Sequence, residues 1–189
     1  MDGVKSAISW TFGVLAALLI SFPNTTTIKL TCQHVFREGE RKLLLRSREV
    51  RVIKMPTKAI KDIKDTHLCN CSDCRKISAS MFATNFCLLD DEITWLSGKD
   101  KLTRWGQSAT IASGNTMTNS FCSVCGTMLN RQSSGFPGAN FLRVGTVDDI
   151  KLHDEILKPG VEQFTTTRVA WYHGIDGVKK AEGQFPFGK

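Results

Sequence analysis

The sequence lacks the short motifs that mark several large enzyme classes. It has no G-x-G-x-x-G or G-x-x-x-x-G-K-[ST] motif, no G-x-S-x-G motif and no H-E-x-x-H motif. No H-x-E precedes a P-C-x-x-C, so the zinc-deaminase signature is incomplete. These absences argue against most nucleotide-binding, serine-hydrolase, zincin and deaminase functions.

Internal repeats, low-complexity segments and an apolar run of about twenty residues are also absent. The 189 residues are 41% hydrophobic and 23% charged, with four Trp and eleven Phe. A chain of this length can bury a core without disulfide bonds. Composition therefore excludes disordered, collagen-like, coiled-coil and multi-pass membrane proteins, and indicates one globular domain with extensions.

The net charge of +7 is concentrated in one segment. Residues 35–65 contain ten basic and five acidic residues, a net charge of +5. No interleaved aromatic residues mark a base-stacking platform there, so we interpret the segment as a solvated charged surface and expect no specific nucleic-acid partner.

An uncharged apolar run occupies residues 8–22. It is short for a membrane span and lacks a convincing cleavage site. Three interpretations of this run remain open: a signal or anchor, a buried or interfacial helix, and a non-native leader. Whether the protein associates with a membrane is therefore also open. We expect a cytoplasmic location, because clustered cysteines are typical of a reducing compartment.

Changes in composition divide the chain into three parts. Residues 1–30 form an apolar leader and link, for which a non-native origin is one hypothesis, and residues 31–66 form a poorly organised basic segment. Residues 67–188 carry the recognisable domain.

Strand patterns dominate that domain. Clusters of Gly, Asp or Ser separate short β-prone runs at residues 81–89, 93–96, 101–105, 116–121, 127–130 and 141–147. The predicted fold class is mostly β, with antiparallel sheets. Evidence for helices is limited to the leader and residues 42–50.

Five of the seven cysteines fall in two tight clusters, which is typical of metal sites. Cys69, Cys71 and Cys74 form C-x-C-x-x-C, and a turn would gather their sulfurs around one ion. Three ligands leave one coordination position open, as in a catalytic zinc site. Three thiolates favour a soft substrate such as a thiol.

Cys122 and Cys125 form a C-x-x-C followed by Gly126, typical of a structural zinc knuckle. Their partners are open. One possibility is Cys32 and His34; another is a single site made by Cys69, Cys71, Cys122 and Cys125, which leaves Cys74 over.

Five sequence features together resemble the glutathione-dependent formaldehyde-activating enzyme family, also called the centromere protein V family. They are HLCNCSDCRKISASMF at 67–82, SFCSVCGTML at 120–129, FLRVGTVDD at 141–149, Lys158-Pro159, and Arg168 with Trp171. The resemblance implies a zinc-bearing β-tent domain, a catalytic zinc on Cys69, Cys71 and Cys74, and a structural zinc that includes Cys122 and Cys125. The family's earlier C-x-C, about twenty residues before the first cluster, is absent here.

By this resemblance, the expected function is that of a zinc-dependent carbon–sulfur lyase that joins glutathione and formaldehyde to give S-hydroxymethylglutathione. Arg75 and Lys76 would hold the carboxylates of the thiol substrate. The alternative is a non-catalytic zinc-binding module whose basic segment binds a partner.

Overall fold

The computed structural model describes residues 66–186 and four two-residue strands that precede them. These strands are β1 (Thr25–Thr26), β2 (Leu30–Thr31), β3 (Arg51–Val52) and β4 (Met55–Pro56). β1 pairs with β4, and β2 pairs with β3.

The described residues from 66 onward form nine further strands and two α-helices. The strands are β5 (Thr66–Cys69), β6 (Ala83–Leu89), β7 (Trp95–Ser97), β8 (Leu102–Gln107), β9 (Met117–Cys122), β10 (Met128–Ser133), β11 (Ala139–Arg143), β12 (Val161–Gln163) and β13 (Lys179–Ala181). The helices are α1 (Ser72–Ser78) and α2 (Lys151–Asp154). Single turns of 3₁₀ helix occupy Asp90–Glu92, Lys99–Lys101, Val144–Thr146 and Thr165–Thr167.

Eight of these strands form one mixed sheet in the order β13-β12-β5-β6-β11-β10-β9-β8. All neighbours from β5 to β8 in that order are antiparallel. This confirms the prediction of a mostly β fold with antiparallel strands. The sequence did not indicate the parallel strands near the other edge of the sheet, where β12 lies parallel to both β5 and β13.

One face of the sheet packs on the apolar core. Phe86 and Leu88 of β6 and Leu142 of β11 are at most 2% exposed and belong to one hydrophobic cluster. Leu30 of β2 is 1% exposed and belongs to the same cluster. The intervening residues of β6 and β11 point to the opposite face, because side chains alternate along a strand.

A β-bulge in β10 determines which residues face each side. Met128 pairs with Phe121 and Asn130 pairs with Ser120, so Leu129 is an extra residue opposite β9. Leu129 packs in the core. Because the bulge shifts the alternation by one residue, Arg131 lies on the face away from that core.

The N-terminal predictions fall largely outside the described residues. This holds for the apolar run at 8–22, the possible helix at 42–50 and most of the basic segment. No helix in the described ranges is long and apolar enough to cross a membrane. The division into 1–30, 31–66 and 67–188 stays a prediction.

Candidate metal centre and cleft

The three cysteines of the C-x-C-x-x-C motif converge at the start of α1. Cys69 is the last residue of β5, Cys71 is the N-cap of α1, and Cys74 lies in the first turn of that helix. Their Sγ atoms all lie within 4.8 Å of one another. The spacing therefore brings together the three sulfurs, through a strand end, a turn and a short helix.

Local hydrogen bonds hold this helix start in place. The backbone N–H of Cys74 donates to Sγ of Cys71 at 3.3 Å, which caps the helix with a thiol. The backbone N–H of Arg75 donates to the carbonyl of Cys71 at 3.0 Å. Ser78 Oγ donates to the carbonyl of Cys74 at 2.6 Å, and the C-cap residue Ala79 is in the left-handed conformation, with φ of 50°.

Asn70, between two of the cysteines, is anchored to β12. It is fully buried; its backbone N–H donates to the carbonyl of Gln163 at 3.1 Å, and its Nδ2 donates to Oε1 of Glu162 at 3.1 Å. Arg168 Nη1 donates to the same Glu162 oxygen at 3.0 Å, and the N–H of Ile175 donates to the other oxygen at 3.3 Å. The turn that carries Cys69 and Cys71 is thus held by a buried carboxylate.

These donors also set the charge of Glu162. Burial raises the pKa of the carboxyl group, but the hydrogen bonds from Arg168, Asn70 and Ile175 outweigh that effect and lower the pKa below its ordinary value. Glu162 is therefore ionised near neutral pH.

Two buried arginines lie on the side of the sheet that faces the cysteines. Arg131 is 6% exposed, and its Nη1 donates to Sγ of Cys74 at 3.4 Å. Arg143 is 7% exposed and donates through Nη1 to Oδ1 of Asn85 at 2.5 Å. Asn85 in turn contacts Nε2 of the buried His67 through its Nδ2, at 3.2 Å. His67, Asn85 and Arg143 occupy paired positions on β5, β6 and β11, so they share one face of the sheet.

The three thiols hold their protons unequally. Hydrogen bonds from the thiols of Cys69 and Cys71 lower the pKa of Cys74 well below its ordinary value, against burial, and the charges of Arg143 and Arg131 lower it further. Hydrogen bonds with Cys71 and Cys74, together with burial, raise the pKa of Cys69. The two buried arginines therefore favour the thiolate form of Cys74.

The cysteines form part of the wall of a cleft of about 250 Å³. Much of its lining is apolar, contributed by Ile111, Met117, Phe136, Phe141 and Phe164. At one side, residues 110–113 follow the end of β8 and also line the cleft. This loop is joined to α1, because Thr110 Oγ1 and Gln107 Nε2 both donate to Oδ1 of Asp73.

Arg75 and Lys76, predicted to bind the substrate, lie on α1 but are not among the residues that line the cleft. Arg75 Nη1 donates to the carbonyl of Thr167 at 3.3 Å, and Thr167 does line it. Lys76 is exposed. Their proposed contact with substrate carboxylates stays a prediction.

The second cysteine pair lies elsewhere in the fold. Cys122 ends β9 in the core, whereas Cys125 is exposed in the following turn. Gly126 has φ of 72°, and its N–H donates to the carbonyl of Cys122 at 2.8 Å. A knuckle with glycine after the second cysteine is thus present.

No third ligand joins this pair within the described part of the chain. There, the group formed by Cys69, Cys71 and Cys74 is the only set of three or more His, Cys, Asp or Glu ligands. This group contains Cys74 but neither Cys122 nor Cys125. It therefore differs from the possible four-sulfur site, which would contain Cys122 and Cys125 and leave Cys74 over. Cys32 and His34 lie outside the described residues, so a structural zinc on Cys122 and Cys125 stays a prediction.

Sequence reasoning identified the cysteines but missed three charged residues around them: Arg131, Arg143 and Glu162. A signal was present for Arg143, because it interrupts the apolar strand predicted over 141–147. Arg131 directly follows the strand predicted over 127–130, and nothing local indicates its burial.

Comparison with known proteins places the chain in a family. The family model described as glutathione-dependent formaldehyde-activating enzyme matches residues 51–167, more than half of the chain. No curated protein shows a significant match. A crystal structure of a Rhodobacter sphaeroides protein is similar at 17% sequence identity, with a TM-score of 0.45, over 67% of this chain and 93% of that chain. On the strength of the family match, which includes the cysteine cluster and both strands that carry the buried arginines, the chain belongs to the glutathione-dependent formaldehyde-activating enzyme family.

Proposed function

We propose that this protein is a zinc-dependent carbon–sulfur lyase that reversibly joins a glutathione-type thiol to a small aldehyde. With glutathione and formaldehyde the product is S-hydroxymethylglutathione. The family supports glutathione-dependent formaldehyde activation in general terms. The observation that carries the proposal for this chain is the convergence of three cysteine sulfurs on the wall of a cleft.

The donor set fits zinc. Zn–S bonds of about 2.3 Å in a tetrahedral site place sulfurs roughly 3.8 Å apart. The sulfurs of Cys69, Cys71 and Cys74 lie within 4.8 Å of one another, so a small contraction would bring all three onto one ion. Three thiolates also match the preference of zinc for soft ligands and leave a position for a substrate thiol.

Zinc held by Cys69, Cys71 and Cys74 would lower the pKa of a thiol at its open position, so that this thiol would be a thiolate near neutral pH. The protein's own residues supply position and environment. Phe136, Phe141 and Phe164 give the cleft an apolar lining, and the Asp73–Thr110 hydrogen bond holds the neighbouring loop against α1. Holding the two reactants together in this space accounts for a large part of the expected acceleration.

The reaction itself requires no further cofactor. The thiolate sulfur attacks the carbonyl carbon, a C–S bond forms, and the π electrons of C=O move to the oxygen, which takes a proton from water. The reverse reaction removes that proton and breaks the C–S bond. A cleft of about 250 Å³ is larger than a one-carbon aldehyde requires, so part of the thiol substrate would also occupy it.

The test is the rate of exchange between free glutathione and S-hydroxymethylglutathione in the presence of formaldehyde, measured by NMR on zinc-loaded protein. Wild type should exceed the uncatalysed rate, and Cys74→Ser should reduce exchange to that rate. Cys87→Ser is the matched control, because Cys87 lies on β6 outside the cluster, and it should behave as wild type. No acceleration by folded, zinc-loaded wild type would overturn the proposed reaction.

A further inference from the structure

The buried guanidinium groups of Arg131 and Arg143 lack the carboxylate partners that buried cations usually have. The ion pair between Arg168 and Glu162 includes neither of them. The Nε atom of each of the two arginines is buried without a hydrogen-bond partner. The acceptors that contact the guanidinium group of Arg143 are neutral: Oδ1 of Asn85 and the sulfur of Met128.

Burying an uncompensated charge is costly, so an anion is expected near both groups. The cysteine cluster, in its thiolate form, supplies that anion. Arg131 Nη1 donates to Sγ of Cys74 at 3.4 Å. Arg143 lies on the neighbouring strand β11 and points to the same side of the sheet. The bulge in β10 is what turns Arg131 toward this side of the sheet.

The charge of a loaded site explains why two cations are useful. Three thiolates and a divalent ion carry a net charge of about −1, and burial makes that charge unfavourable. Two guanidinium groups reverse its sign and leave the site able to accept a further anionic group, such as a second thiolate. Three thiolates without these cations would repel one another more strongly.

We infer that Arg131 and Arg143 are positioning residues of the metal centre, which supply the buried positive charge that lets Cys69, Cys71 and Cys74 hold a divalent ion as three thiolates. This rests on the metal site of the proposed function but not on the proposed reaction.

The experiment measures the Kd of the protein for Zn²⁺ at neutral pH, by competition with a chromophoric chelator under reducing conditions. Arg131→Met and Arg143→Met remove the charge and keep an apolar side chain of similar length. Each should weaken zinc binding about 10- to 100-fold, the usual effect of losing a group that contacts a metal ligand. Arg104→Met, at an exposed position on β8, is the control and should leave the Kd unchanged.

A second readout separates this role from a general structural one. The thermal unfolding of metal-free protein should not shift downward in Arg131→Met, because the substitution removes a buried cation that only the thiolates compensate. Weak zinc binding with undiminished metal-free stability is the expected combination. Equal losses of both would overturn the inference, since a damaged fold would then explain the Kd.

Arg131→Lys tests whether zinc binding depends on the positive charge of this side chain or on the shape of its guanidinium group. It keeps the positive charge without the planar guanidinium group, and its Kd should lie closer to wild type than that of Arg131→Met. Folded variants that all bind zinc as wild type does would overturn the inference and leave the proposed function intact. Wild type that binds no zinc would overturn both.

Discussion

The Glu162 carboxylate links the C-terminal part of the chain to the turn that carries Cys69 and Cys71. It accepts hydrogen bonds from Asn70, from Arg168 and from the backbone of Ile175. A Cβ on Gly174 would lie within 2.5 Å of both Glu162 and Arg168 side chains, so the chain passes close to the pair. One buried charge thus joins the cysteine turn, β12 and residues 168–175.

Glu162→Gln should destabilise the metal-free protein by about 1.5–3 kcal/mol, the usual value of hydrogen bonds to a charged group. The effect should depend on pH with a definite sign. Folding lowers the pKa of Glu162 below its ordinary value of 4.5, so the stabilisation is present above that pH and is lost as pH falls through the folded value.

Urea unfolding of wild type and Glu162→Gln between pH 3 and 7 checks this prediction. The gap in free energy of unfolding should be full at neutral pH and should begin to close as the pH falls below the ordinary value of 4.5. A gap that grows on acidification would contradict it. Metal-free protein is needed, because acid also releases metal from thiolates.

Arg75 is the predicted contact for a substrate carboxylate at the edge of the cleft. Arg75→Met should raise KM for the thiol substrate by about fivefold, equivalent to about 1 kcal/mol, with little change in kcat. Lys76→Met should act in the same direction, and Lys99→Met, in a turn of 3₁₀ helix, should have no effect. A fall in kcat at constant KM would contradict a role in binding.

At this scale, sequence predicts the cluster but not its surroundings. The C-x-C-x-x-C spacing keeps Cys69 and Cys74 within six residues, so any turn brings their sulfurs near one another. Arg131 is far away in sequence and is brought there by strand pairing and a bulge. The residues next to Arg131 in the sequence indicate neither that it is buried nor on which face of the sheet it lies.

Helix α1 is the element that gives the cysteine cluster its shape. It has seven residues, contains one buried residue, Cys74, and is followed by the C-cap Ala79 with φ of 50° and ψ of 35°. Helix-prediction rules need a longer apolar period, which explains why the sequence indicated only a turn here. β12 escaped prediction for a related reason: it has three residues, all buried, and includes Glu162 and Gln163.

Substitutions at Ala79 test the left-handed conformation of the residue that caps the C-terminal end of α1. The left-handed conformation costs an L-residue about 1–2 kcal/mol, whereas glycine adopts it freely but loses more entropy on folding. Ala79→Gly should therefore be neutral or stabilising by up to about 1 kcal/mol. Ala79→Val should be destabilising, because a β-branched residue is disfavoured there.

Urea unfolding of the two variants gives the ranking directly. Glycine should be at least as stable as alanine, and valine should be least stable. A valine variant as stable as the glycine variant would show that Ala79 does not hold the left-handed conformation in solution.

Across the whole molecule, the core extends beyond the family match. Leu30 lies before residue 51, where that match begins, yet it is 1% exposed and packs with the core cluster. It also forms an isolated bridge with Val147. Strand patterns predicted the antiparallel core well, because the alternation of side chains and the turns are visible in short stretches of sequence. The packing of Leu30 on distant strands leaves no such local signal.

Leu30→Ala should lower the free energy of unfolding by about 2–5 kcal/mol, the usual cost of truncating a buried leucine. Leu96→Ala is the control: Leu96 is 48% exposed, so its truncation should cost less than about 1 kcal/mol. Similar small losses for both would contradict the burial of Leu30.

The most direct test of the metal centre is the zinc content per chain after purification under reducing conditions. Wild type, Cys74→Ser and Cys87→Ser should be compared at equal protein concentration. Cys74→Ser should contain about one zinc fewer per chain than wild type, while Cys87→Ser should contain the same amount. Equal zinc content in wild type and Cys74→Ser would contradict it, because the ion would then not depend on the cluster formed by Cys69, Cys71 and Cys74.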